Sequence, residues 1–219
     1  MSTKWPGPAA PRIGGNLELV DDPVVEEDTG WSEVELRGDL SGLVAGDVEV
    51  DGSRLVRCAL TGSTLDRMRM TDVVIEGCEL SGAVLDHATL TRVEVRDCRM
   101  SGLVLSRAKL RDVAFVRCRL DEASFRMAKT ERVVFEECDL RRADLYEAEL
   151  SGAALTRCDL TGAELSGAKL RGARLHGSTL LDLRGAGSLA GALIDPDQVV
   201  PLSWSLLNAL GIVVDEDGA

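Results

Sequence analysis

All six cysteines of this chain stand twenty residues apart, at Cys58, Cys78, Cys98, Cys118, Cys138 and Cys158. Thiols that bind a metal or exchange disulfides must converge, and no pair here has the C-x-x-C spacing. A fixed interval is instead the mark of a structural repeat. A shorter period runs between the cysteines. Reading every fifth residue from Leu55 to Leu180, 25 of 26 positions are large and apolar, and Thr130 is the exception. In a helix a step of five would carry the apolar residue around the axis, so a helix is excluded. Each pentad must be a very short strand followed by a corner.

The residue two before each centre is also small or apolar, and it shares the centre's face because side chains alternate along a strand. Sorted by twenty, these residues fall into four columns. Cysteines make one. Ser63, Ala83, Leu103, Ala123, Ala143 and Ala163 make the next, and Met68, Ala88, Ala108, Ala128, Ala148 and Ala168 the third. Val73, Val93, Val113, Val133, Ala153 and Ala173 make the fourth. Like stacks on like, so four pentads close one coil and the cross-section is a square. Leu40 to Leu180 has room for seven coils of twenty residues, a rod about 34 Å long at ~4.8 Å per coil. Glycines two after the centre, such as Gly62, Gly82 and Gly162, mark corners that need positive φ. Phe115 and Phe135 should stack on adjacent levels. Thr130 should bond a neighbouring backbone group or leave a local defect in the core. The cysteine column reads as a set of small buried hydrophobes. Parallel stacked side chains give a poor disulfide torsion, so the thiols are expected to be reduced.

The triplets Ala143-Asp144-Leu145, Cys138-Asp139-Leu140, Cys158-Asp159-Leu160 and Ala163-Glu164-Leu165 resemble the A-[DN]-L-x-x pattern of the pentapeptide-repeat proteins. The resemblance covers about two thirds of the chain. It implies an all-β solenoid, a right-handed quadrilateral β-helix, which is the shape the columns require. Gly191-Ala192-Leu193-Ile194-Asp195-Pro196-Asp197-Gln198-Val199-Val200 also resembles the C-terminal segment of the gyrase-inhibiting, DNA-mimicking members, where it leads into a helix and dimer junction. That likeness implies a rod that binds DNA gyrase or a related topoisomerase and modulates it or protects it from inhibitors. The unbroken register from Leu55 to Leu180 leaves no room for the projecting loops of some quinolone-protecting relatives.

The expected divisions are an arm over residues 1–30, the β-helix over 31–185, and a C-terminal helix and tail over 186–219. Residues 1–16, rich in proline and glycine and including Trp5, read as disordered. Val34 and Leu36 suggest a first coil out of register, with Trp31 covering the open end. At the other end Asp195 is placed as an N-cap, Pro196 as the first helical residue and Gln198 at the third position. Pro201 should kink or restart that helix, and Gly211 should end it before the extended Ile212-Val213-Val214. The helix could simply cap the last coil. Val199, Leu202, Leu206, Leu207 and Leu210 exceed what one coil end can cover, and so form a candidate homodimer interface.

The net charge of −12 is unevenly placed. Residues 17–51 hold twelve acids against Arg37 alone, whereas residues 52–180 hold 21 basic and 19 acidic groups. Within the rod, residues 92–120 carry +5 and residues 136–164 carry −5. Glu136, Glu137, Asp139, Asp144, Glu147, Glu149, Asp159 and Glu164 therefore form a candidate acidic belt for a basic partner; the alternative is a solvated surface of locally paired charges. A face with Arg92, Lys109, Arg111, Lys129, Arg132, Lys169 and Arg171 is basic. Direct nucleic-acid binding is not expected there, because the chain is acidic and lacks interleaved aromatics. His87 and His176 sit on different faces, and no catalytic, cofactor or metal constellation is visible. The chain reads as a non-enzymatic cytoplasmic protein with neither signal peptide nor membrane span. The alternative function is a scaffold that offers Val74, Val84, Val104, Val116 and Val134 to an unrelated protein.

Overall fold

The computed structural model describes residues 6–213, so Trp5 and Val214 lie outside it. The chain is a right-handed parallel β-solenoid of about 7 turns with a short C-terminal helix. In chain order its strands are β1 (Glu18–Asp21), β2 (Gly30–Ser32), β3 (Val34–Arg37), β4 (Val44–Gly46), β5 (Glu49–Asp51) and β6 (Arg54–Val56). They continue with β7 (Thr64–Asp66), β8 (Arg69–Glu76), β9 (Thr89–Arg96), β10 (Lys109–Val116), β11 (Lys129–Glu136) and β12 (Ala154–Thr156). Parallel pairing in the order β1-β3-β6-β8-β9-β10-β11-β12 builds the longest sheet, with β4 and β7 paired separately. Along the rod each residue pairs with the one twenty later, as Leu90 does with Leu110 and Leu110 with Thr130. The first coils are shorter: Leu36 pairs with Leu55, nineteen residues on, and Glu18 with Val34, sixteen on. This is the register break expected at Leu36.

Centres and the residues two before them fill the bore. Leu60, Leu80, Leu120 and Leu140 are buried, as are Ala83, Ala123 and Ala143 between them. Phe115 and Phe135 stack with centroids 4.9 Å apart and planes 6° apart. Phe125 meets both edge-on from across the bore, at 6.1 and 5.4 Å. Thr130 Oγ1 donates to the Glu149 carbonyl at 2.7 Å, so the polar centre is satisfied without a defect.

Reading cysteine as a small hydrophobe misses what its sulfur does. In sister corners the chain closes on itself, for example Ser63 N to Leu60 O at 3.1 Å. At the Cys58 and Cys78 corners a sulfur from the coil above takes that place. Cys78 Sγ accepts from Cys58 N at 3.3 Å and donates to Leu55 O at 3.4 Å. Ser178 continues the column in the same way, accepting from Cys158 N and donating to Leu155 O, both at 2.9 Å. Gln198, twenty residues further on, donates to Leu175 O at 2.7 Å and ends it. All six cysteines are buried and free.

Two expectations about the N-terminal region are corrected. Residues 17–30 are not a loose arm: β1 pairs with β3, and β2 places Trp31 against Val50. Val20, Val25 and Trp31 pack on the end of the core. Nor are residues 6–16 disordered. Ala9 N donates to Asp112 and Arg12 N to Asp72, which lays this segment along the outside of the rod. At the C-terminus Pro196–Gln198 form a 3-10 turn that passes into α1 (Val199–Ala209). Gln198 Oε1 accepts from Asp195 N at 2.7 Å, the reciprocal bond expected of a capping pair. Pro201 falls in the first turn of α1, where its missing N–H would have had no intrahelical partner. Gly211 follows at φ 69°, ending the helix as expected.

Candidate protein-binding surfaces

Every corner residue two after a centre is left-handed. Gly62, Gly82 and Gly162 lie at φ 62–71°, but many corners hold larger residues at φ 51–59°. An L-residue held there costs about 1 kcal/mol or more. Most of these residues are engaged in a pattern that summing charge along the sequence concealed: an acid on one coil and an arginine on the next. The pairs are Asp47–Arg67, Asp72–Arg92, Asp97–Arg117, Asp112–Arg132, Glu122–Arg142 and Glu137–Arg157, at 2.6–3.0 Å. Four of the arginines are about half exposed, which limits such pairs to about 1 kcal/mol or less. Asp72 and Asp112 are buried. The Arg132 guanidinium, joined by the Ala9 N–H, holds the Asp112 carboxyl at about 2. Arg92, with a smaller share from Arg12 N–H, lowers Asp72 likewise.

The same pairing reaches the candidate belt. Arg157 bridges Glu136 and Glu137, and Arg141 lies between Asp139 and Asp159. Arg126 meets Asp144 at 2.8 Å, Lys169 meets Glu149 at 3.2 Å and Arg184 meets Glu164 at 3.5 Å. Glu147 instead lies beside the Tyr146 phenol and raises its pKa. Three of the neutralising cations, Arg126, Lys169 and Arg184, lie outside residues 136–164 in sequence. The basic face is tempered likewise, through Arg92, Arg132, Lys169 and Arg111, the last at 3.4 Å from Glu131. Uncompensated charge gathers at the N-terminal end. Among the described residues, Glu18, Asp21, Asp22, Glu26, Glu27, Asp28 and Glu33 make no ion pair, and the last four surround two successive corners at Asp28 and Glu33.

The valines do not form a stripe. Val84 and Val104 neighbour each other on one face, whereas Val74, Val116 and Val134 lie on the opposite face, and all are half-buried. The helix is divided. Leu202 is 3% exposed against the last coil, and Leu206 packs on the core beside Leu189 and Ile194, so these two act as the cap. Leu207 is half-buried, and Val199 and Leu210 are exposed. The outward face also carries Val200, 77% exposed, and Trp204, 56% exposed, which the leucine spacing did not single out. An apolar hollow of about 340 Å³, lined by Leu189, Ile194, Leu206 and Leu210, opens beside it. His176 Nδ1 lies 2.9 Å from Asp195, which also accepts from Gly177 N and so ties the helix start to the coil below. No group of three or more metal-binding side chains occurs among the described residues.

Residues 49–125 and 108–184 match the family profile described as a pentapeptide repeat region. The chain belongs to the pentapeptide-repeat family. A search of curated proteins finds no matching sequence. Among solved structures, this pentapeptide-repeat chain is similar to full-length QnrB1, a plasmid-mediated fluoroquinolone resistance protein. The two are 20% identical over 91% of this chain and 100% of that one, with a TM-score of 0.35. Trypsin-treated QnrB1 gives 22% identity over 91% and 98%, with a TM-score of 0.42. HetL, involved in heterocyst differentiation regulation in the cyanobacterium Nostoc sp. strain PCC 7120, is 19% identical over 80% and 86%, with a TM-score of 0.39. No helix among the described residues is long and apolar enough to cross a membrane.

Proposed function

We propose that this chain is a non-catalytic protein-binding rod that competes with duplex DNA for a basic protein surface, with DNA gyrase as the candidate partner. The observation that carries this reading is the cluster of unpaired carboxylates at the N-terminal end, from Glu18 to Glu33, on a rod whose remaining charges are largely matched. Unpaired, backbone-fixed carboxylates can stand in for phosphates, whereas matched ones project little field. The resemblance of residues 191–200 to gyrase-inhibiting members selects gyrase among basic DNA-binding surfaces. A second copy is proposed to dock through the helix face of Val199, Val200, Trp204 and Leu210. The projecting Trp204 and the neighbouring hollow suit a self-complementary two-fold contact.

Displacement of a labelled duplex from gyrase, followed by anisotropy at two salt concentrations, tests this directly. Competition should weaken with salt. Reversing Glu26, Glu27 and Asp28 to lysine should reduce it by about tenfold or more, about 1.4 kcal/mol. Reversing the paired Glu136, Glu137 and Asp144 should matter less. Failure to displace DNA at low salt would reject the reading, and a larger effect of the second set would return the site to the belt.

A further inference from the structure

The corner column Asp72, Arg92, Asp112, Arg132 is built to hold an extended segment, and the chain already supplies one. Ala9 N donates to Asp112 Oδ1 at 3.0 Å, and Arg12 N donates to Asp72 Oδ1 at 2.9 Å. The two carboxylates are forty residues apart in sequence, two coils in space, or about 9.6 Å. The two donors are three residues apart. A polyproline-type segment has three residues per turn and rises about 3.1 Å per residue, so such donors face the same way about 9.3 Å apart. Each donor directly follows a proline, Pro8 or Pro11, which fixes φ for that conformation. Those two prolines are half-buried against the rod, and Ala10 between the donors is exposed.

The receiving side is pre-organised. Arg92 grips Asp72 through Nε and Nη2, both at 2.6 Å, and Arg132 grips Asp112 at 2.6 and 2.7 Å. Each aspartate keeps its arginine if the segment leaves. Two levels further along the column stand Gly152 and Gly172, so the track ends after its two acceptors. The track's hydrogen bonds to the segment are to backbone N–H, which read conformation and spacing, and the Arg12 charge adds attraction to Asp72.

We propose that this column is a docking track for polyproline-type segments carrying prolines three apart, each followed by a free N–H. In the resting chain the track is filled by residues 8–12. A partner bearing such a segment must displace the chain's own, whose tether gives it an effective concentration of about a millimolar. This inference does not depend on the identity of the acidic end's partner.

The test uses the full chain. Replacing Ala9→Pro and Arg12→Pro removes both donors, keeps the segment extended and leaves the core untouched. A labelled peptide of residues 6–15 is then titrated to millimolar concentration. The double-proline chain should bind it about tenfold or more tightly than the unaltered chain, and adding Asp72→Gly with Asp112→Gly should abolish binding. Glycine is the residue this column already uses at Gly152 and Gly172, so those replacements suit the corner. Equal binding by the double-proline and unaltered chains, or binding that survives loss of both aspartates, would overturn the proposal. In the unaltered chain, hydrogen exchange should be slowed at Ala9 and Arg12 but not at Ala10. Uniform exchange across the three would also contradict it.

Discussion

A cysteine sulfur in this rod replaces a backbone hydrogen bond. Because Cys78 Sγ accepts from Cys58 N, removing that thiol leaves a buried N–H on the coil below without its partner. Cys78→Ala should therefore destabilise by about 2 kcal/mol or more, from the unpaired N–H and a small cavity. Cys78→Ser should cost less, since Ser178 already fills the role with bonds of 2.9 Å. Denaturant unfolding of the two variants separates the cases, and equal losses would show that only volume matters. The left-handed corners allow a second prediction. Met127 holds φ 56° with its side chain 39% exposed and no charged partner to gain from. Met127→Gly should raise stability by about 0.5 kcal/mol, the strain relieved less the entropy glycine adds to the unfolded chain. A lowered melting temperature would contradict this. The cysteine period was plain in the sequence, and so were the inward positions. The sulfur's bonding was not, because burial and size favour alanine as readily as cysteine, and only the open corner beneath distinguishes them.

At the level of elements, strands and corners follow from the pentad alone, whereas the N-terminal segment does not. Its prolines exclude helix and ladder, and its two partners lie 103 and 60 residues away in sequence, so local reading makes it a loose arm. The helix start was legible because Asp195, Pro196 and Gln198 act on their immediate neighbours. Its facing was only half legible: leucines four apart mark the stripe that caps the coil, and Val200 and Trp204 lie around the helix from it. Acid should loosen the arm. Asp112 is held at about 2 against an ordinary 3.8, so its contribution is present above about pH 4 and is lost as pH falls through about 2. The Ala9 amide resonance should follow that titration with a midpoint near 2. An Ala9 resonance that does not move with this titration would mean that the bond to Asp112 is not formed.

For the whole molecule, the decisive feature is where charge is left over. Summed along the sequence, residues 136–164 look like an acidic belt. Once stacked by twenty, most of those acids find a cation one coil away, and the surplus moves to the N-terminal end. The same interval of twenty that groups the apolar residues groups the Asp–Arg ladder in the sequence as well. The proposed pairing of two chains through the helix predicts that Trp204→Glu with Val200→Glu yields a monomer in sedimentation, with the β-helix melting unchanged. A dimer that persists would place the contact elsewhere.

The most direct test of the central claim is a DNA-gyrase supercoiling assay titrated with this protein, with and without a gyrase poison, at low and moderate salt. The account predicts inhibition or protection that weakens with salt and is lost when Glu26, Glu27 and Asp28 become lysine. An unchanged supercoiling rate and unchanged poison sensitivity at low salt would contradict it.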